Sequence, residues 1–257
     1  MSASRLERRI REAQAAGRPA LIPFLTAGFP TKERFWDELE ALDAAGADII
    51  EVGVPFSDPV ADGPVVAGAS QRALESGVTL RWIMDGLAAR KGRLRAGLVL
   101  MGYLNPFMQY GFERFVSDAA DAGVAGCIIP DLPLDEDADL RALLAARGMD
   151  LIALVGPNTG EGRMREYAAV ASGYVYVVSV MGTTGVRDGL PVEVADTLAR
   201  ARQCFSIPVA LGFGISRPAQ LEGLSHPPDA VIFGSALLRH LDAGGDAASF
   251  MKAWTEQ

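Results

Sequence analysis

Eight short apolar runs rich in β-branched residues recur along the chain, and stretches with apolar residues at three- and four-residue spacing lie between them. The runs are ALIPFL from Ala20, DIIEVGV from Asp48, AGLVLMGY from Ala96, AGCIIPD from Ala125, DLIALVG from Asp150, GYVYVVSV from Gly173, IPVALGF from Ile207 and DAVIFG from Asp229. The intervening patterns KERFWDELEALDAAG, FERFVSDAADAG, DEDADLRALLAARG and GRMREYAAVASG each close on a glycine, as amphipathic helices do. Strand followed by helix, repeated, predicts parallel strands joined by crossover helices, with strands buried on both faces. Eight such units in 257 residues predict an α/β (β/α)8 TIM barrel as a single domain over 1–257. The charged amphipathic start MSASRLERRIREAQAAG adds an N-terminal helix. A doubly wound open sheet is the rival, but it usually has fewer strands and a glycine-rich dinucleotide turn after the first, which LTAGFPTKE does not supply.

The net charge of −8 argues against binding to nucleic acid or an anionic membrane, since both demand a basic surface. Two cysteines, Cys127 and Cys204, have no spacing of a disulfide framework or zinc site and fit a reducing compartment. Without a signal-peptide core or a run of about eighteen apolar residues, the chain reads as a cytoplasmic, non-membrane protein.

Successive runs start 22 to 34 residues apart, except the second and third, at Asp48 and Ala96, which are 48 apart. An enlarged loop is therefore expected after strand two, on the face where barrels of this kind build their sites. EVGVPFSDPVADGP runs out of strand two into it, with Glu51 expected at the strand's end, and sets three carboxylates with no basic residue between Arg34 and Arg72. Glu51, among Ile50, Val52, Val54 and Phe56, is expected to be desolvated enough to raise its pKa, unless it is a surface acid that merely follows the strand. Asp58 reads as a turn cap beside proline and glycine, whereas for Asp62 a catalytic role competes with capping. Asp131, Tyr103 and Tyr176 are the other polar candidates after strands. Lys32, Lys91 and Lys252 lie away from strand ends, so a Schiff base has no nucleophile. His226 and His240 lie outside strand ends too, which disfavours a histidine base or a histidine metal site.

Glycine-rich turns follow the last three strands: MGTTG from Met181, GFGIS from Gly212 and FGSALL from Phe233. Each alone reads as an ordinary tight turn. Together they point to a rim that binds a phosphorylated small molecule through backbone N–H groups, with Gly185, Gly214, Gly234 and Ser235 donating.

The series PFLTAGFP, GADIIEVGVPFSDPVADGP, GYLNP, IIPDLP, GTTG, GFGIS and FGSAL, in this order, resembles the tryptophan synthase alpha subunit over essentially the entire chain. The resemblance implies retro-aldol cleavage of indole-3-glycerol phosphate to indole and glyceraldehyde 3-phosphate, with no metal and no cofactor. It implies Glu51 as the main acid and base and Asp62 as the carboxylate facing the indole N–H. Phe24, Tyr103, Ile128, Tyr176 and Phe213 would line the indole pocket, and Thr184 would touch Asp62 when a GTTG lid closes. It further implies an α2β2 complex in which Asp58 and Pro59 meet the beta subunit, the only subunit expected to hold pyridoxal phosphate. Thr183, where the family more often has valine, and SHPPDAVIFGSA before strand eight depart from the usual pattern. Two other readings stay open: a catalytically weak barrel retained as an allosteric partner, and an unrelated phosphate-binding barrel enzyme.

Overall fold

The computed structural model describes residues 3–178, 192–212, 214–222, 224 and 227–256. Its strands are β1 (Ala20–Thr26), β2 (Ile49–Gly53), β3 (Gly97–Met101), β4 (Gly126–Ile128), β5 (Asp150–Leu151), β6 (Ala153–Val155), β7 (Val175–Val178), β8 (Val209–Gly212) and β9 (Ala230–Phe233). All pair in parallel, in the order β5-β4-β3-β2-β1-β9-β8-β7-β6. The two ends of that row, β5 and β6, are separated in the chain by Ile152 alone, so one stretch of backbone joins both edges and the sheet closes into a barrel. Each of the eight expected runs holds a strand. The fifth differs from expectation because it serves two neighbours in turn, pairing first with β4 and then with β7.

Helices α2 (Lys32–Ala44), α6 (Phe112–Asp121), α7 (Ala138–Ala146) and α8 (Glu161–Val170) fall on the four periodic segments. The long passage after β2 is more than a loop: residues 54–63 lead into two helices, α3 (Pro64–Glu75) and α4 (Leu80–Ala88). A short helix absent from the sequence reading, α5 (Leu104–Tyr110), follows β3. Helix α9 (Val192–Cys204) precedes β8, and α10 (Ser235–Asp242) and α11 (Ala247–Thr255) close the chain. Between β8 and β9 the described residues form a 3-10 turn at Pro218–Leu221. Of the atypical segment that follows, Ser225 and His226 lie outside the described residues.

Strand alternation sends neighbouring residues to opposite faces, which divides the core into two layers. Leu25, Ile50, Val52 and Leu100 pack outward with the helices, whereas Ile22, Ile49, Val99, Ile128 and Ile232 pack inside the barrel. The inner layer also takes Leu6, Ile10 and Ala13, the buried stripe of the expected N-terminal helix, α1 (Arg5–Ala15). Ser4 starts that helix by accepting the Glu7 N–H at 3.2 Å. The helix seals the barrel end where β3 and β4 begin. A Cβ built on Gly97 would come within 2.8 Å of the Leu6 side chain, and one on Gly126 within 2.8 Å of the Asp150 carbonyl and 3.0 Å of Leu6, so glycine at both strand starts leaves room for Leu6. Among the described residues, no helix is long and apolar enough to cross a membrane.

Leu6 is fully buried in a seat shaped by backbone that cannot collapse onto a smaller side chain. Leu6→Ala is expected to lower the unfolding free energy by about 2–5 kcal/mol in a denaturant titration; a loss within experimental error would show that α1 does not seal the barrel.

Candidate active site

Glu51 lies in the middle of β2, not at its end as expected, in register with Phe24 of β1 and Val99 of β3, on the inward face it shares with Ile49. Its side chain is fully buried. The expected desolvation is present, but the expected agents are not. Ile50, Val52 and Val54 belong to the outer core layer, and Phe56 stacks on Tyr103 with ring centroids 5.2 Å apart. What surrounds Glu51 is the barrel interior, including Tyr174, whose hydroxyl donates to Glu51 Oε1 at 2.8 Å. Burial pushes the Glu51 carboxyl up to about 8, and the Tyr174 hydrogen bond opposes that rise. The second oxygen, Oε2, is buried with no hydrogen-bond partner among the described residues. A carboxyl in that state holds its proton at neutral pH, with an unoccupied oxygen from which to deliver it.

Tyr176 stands inside β7, not after its strand as expected, and Tyr174 immediately precedes that strand. Two residues apart, both project into the barrel. Burial raises the Tyr176 hydroxyl well above its ordinary value, with further contributions from the Glu51 and Asp62 charges, so it remains a protonated donor near both acids. Gly212 makes room for it, since a Cβ there would sit 2.2 Å from the Tyr176 oxygen. Ile128, another expected pocket residue, ends β4 and is wholly buried inside the barrel.

Asp62 occupies the end of the loop that leaves β2. Tyr103, at the start of α5, holds that loop: its hydroxyl accepts the Ala61 N–H at 2.8 Å and hydrogen-bonds the Asp62 carboxyl. Burial raises Asp62 to about 6, and the Tyr103 hydrogen bond restrains the shift. Asp62, Tyr103, Phe24, Val66 and Pro130 line one cleft above the strand ends. Asp131 does not join them; it is exposed and accepts the Leu104 N–H at 2.8 Å, which starts α5. Asp58 is also exposed and lies in a turn, but its carboxylate accepts the Ser57 hydroxyl at 2.6 Å and caps no N–H among the described residues; the turn bond, from the Val60 N–H at 2.9 Å, goes to its backbone carbonyl. Pro59 beside it accepts the Asp62 N–H through its carbonyl at 3.0 Å.

On the other side of the barrel mouth, Gly234 precedes α10 and no side chain among the described residues caps that helix, so its first N–H groups, from Ser235 onward, could serve an anion. Gly214 is exposed with φ +78°, a left-handed conformation that glycine adopts without strain. Phe24 connects the two sides: a Cβ at Gly53 would lie 2.5 Å from its ring, and one at Gly234 would lie 2.9 Å away. Gly185, Thr183, Thr184 and Phe213 lie outside the described residues.

Two side chains that organise this region are absent from the sequence reading. Tyr174 carried a usable signal, its two-residue offset from Tyr176. Gln220 carried none; it is buried in the 3-10 turn and binds loop residues 214–217 through its carboxamide.

A barrel with a protonated buried carboxyl, a second carboxyl that ionises near pH 6, and a glycine-lined helix end for an anion defines a class: an acid–base enzyme acting on a phosphorylated small molecule. The comparisons are more specific. The family described as tryptophan synthase alpha chain matches residues 10–256. A tryptophan synthase alpha chain of Nitratidesulfovibrio vulgaris is 98% identical over the full length of both chains, and one of Solidesulfovibrio magneticus is 61% identical over 99% of each. A chain of a solved tryptophan synthase structure from Mycobacterium tuberculosis superposes with a TM-score of 0.91 at 35% identity, covering 99% of this chain and 98% of that one. The alpha subunit from Legionella pneumophila gives 0.85 at 30% identity, covering 98% and 95%. The chain belongs to the tryptophan synthase alpha chain family.

Folding raises the Glu51 pKa from 4.5 to about 8, so the native state binds this proton more tightly than the unfolded chain. The stability tied to it is fully present below about pH 4.5 and is lost as pH rises through about 8. Glu51→Gln, which cannot ionise, should match wild type in acid and become progressively more stable than it toward pH 9. Denaturant midpoints measured across that range check this; a constant difference would mean that Glu51 titrates normally.

Proposed function

We propose that this chain is a cytoplasmic carbon–carbon lyase that cleaves indole-3-glycerol phosphate to indole and glyceraldehyde 3-phosphate. It does so as the alpha subunit of tryptophan synthase, in the final step of L-tryptophan biosynthesis. The observation that carries the mechanism is a buried, protonated Glu51 whose Oε2 has no hydrogen-bond partner among the described residues.

Glu51 gives its proton to the indole ring carbon that bears the glycerol chain. The ring becomes an iminium-like cation, and Asp62, ionised above about pH 6, stabilises it at the indole N–H. Glu51, now a carboxylate, takes the proton from the adjacent hydroxyl. The carbon–carbon bond breaks, its electron pair returns to the ring, and the hydroxyl carbon leaves as the aldehyde. One proton is given and one is recovered, so the step needs no metal and no cofactor from this chain. Pyridoxal phosphate belongs to the beta subunit.

The Tyr174 hydroxyl steadies the carboxylate form of Glu51, and Tyr103 sets the Asp62 loop. Phe24, Tyr103, Ile128, Tyr176 and Phe213 surround the indole, while Gly185, Gly214, Gly234 and Ser235 receive the phosphate. Thr184, outside the described residues, is the residue we assign to contact with Asp62 over the bound substrate. The beta subunit docks on the turn at Asp58 and Pro59, beside the exposed Val60.

The purified chain should release indole from indole-3-glycerol phosphate, faster when the beta subunit is added. Its kcat/KM should follow a bell between limbs near about 6 and about 8, because Asp62 must be ionised and Glu51 protonated. Glu51→Gln should lose roughly 10²–10⁴-fold in turnover while still activating the beta subunit. Equal rates for wild type and variant would contradict the assignment.

A further inference from the structure

The loop that carries Gly214 is organised by a side chain outside the acid pair. Gln220 is only 7% exposed. Its carboxamide oxygen accepts the Ser216 N–H at 2.7 Å, the Ser216 hydroxyl at 3.0 Å and the Arg217 N–H at 3.1 Å, and its Nε2 donates to the Gly214 carbonyl at 3.3 Å. Burying a carboxamide is costly unless both of its ends are bonded. Here one short loop supplies partners to both ends.

Two consequences follow from that wiring. The N–H groups of Ser216 and Arg217 are turned toward Gln220 and are taken from any ligand. The Gly214 carbonyl is also turned toward Gln220, and in a planar trans peptide the C=O and the following N–H point in opposite directions. The Ile215 N–H is therefore directed away from Gln220. The Ile215 side chain, 3% exposed, anchors the same peptide from the core.

We propose that Gln220 is a positioning residue for the phosphate end of the substrate, holding the Gly214 carbonyl inward so that the Ile215 N–H is presented to the anion together with the N–H groups at Gly234 and Ser235. This rests on the reading of the glycine rim as the phosphate site. A donor set held in place before binding spares the ligand the cost of ordering it. Loosening the loop therefore weakens grip on the phosphate and leaves the proton chemistry at Glu51 untouched.

The isosteric variant Gln220→Met keeps the volume and removes all four hydrogen bonds. Its dissociation constant for glycerol 3-phosphate and its KM for indole-3-glycerol phosphate should each rise about tenfold. Its kcat should stay within about twofold, and its affinity for indole, which lacks a phosphate, should not change. Wild-type affinity for glycerol 3-phosphate, or a fall in kcat at constant KM, overturns the proposal. Amide spectra separate the two layers of the argument. In the wild-type protein, glycerol 3-phosphate should shift the amide signals of Ile215, Gly234 and Ser235. If none of the three shifts, the phosphate rim itself is wrong and the proposal falls with it. If they shift and Gln220→Met binds normally, only the role of Gln220 is lost. Should Gln220→Met fail to fold, Ser216→Ala decides, because it removes a single donor: about threefold weaker binding of glycerol 3-phosphate is expected, and unchanged binding overturns the proposal.

Discussion

The Tyr174 hydroxyl reaches Glu51 inside the barrel at 2.8 Å and satisfies one carboxyl oxygen, while the other finds no hydrogen-bond partner among the described residues. An ionised carboxylate there would pay a large desolvation penalty with a single neutral donor to offset it. The side chain answers by holding its proton. The closed sheet keeps water from the inner face of β2, and α1 seals the end where Leu6 sits on Gly97 and Gly126. The same architecture that stabilises the fold thus sets the protonation state that the chemistry needs.

Asp62 differs from Glu51 by degree of burial. It sits on a loop at the barrel mouth, half-buried and bonded to Tyr103, and its carboxyl rises only to about 6. Two acids on one side of a site consequently carry different charge states at neutral pH, one neutral and one anionic, as the proposed proton donor and cation stabiliser require. Phe24 ties this pair to the anion end of the site, since its ring fits against both Gly53 and Gly234. Both glycines are thus required by packing against Phe24, a demand that a turn motif alone does not reveal.

Much of this was legible in the residues. Eight apolar runs marked the strands because a barrel strand is buried on both faces, and the 48-residue gap after the second marked the passage that carries Asp62. The interruption of the fifth strand at Ile152 was not legible, since it arises from the geometry of closure and leaves no trace in an apolar run. The desolvation of Glu51 was foreseen for the wrong reason: its chain neighbours Ile50 and Val52 face the helices, and the residues that bury it come from distant strands. Tyr174 was passed over although its offset from Tyr176 placed it on the same face. Gln220 could not have been found, because its partners lie in an aperiodic loop whose shape exists only after folding.

The central claim is that the folded barrel holds Glu51 protonated at neutral pH. Its most direct test is the titration of the Glu51 side-chain carboxyl carbon by NMR in the unliganded protein, with the signal assigned by its loss in Glu51→Gln. A midpoint near about 8 is predicted. A midpoint near the ordinary glutamate value of about 4.3 would contradict the account, because Glu51 would then be ionised at neutral pH and would have no proton to deliver.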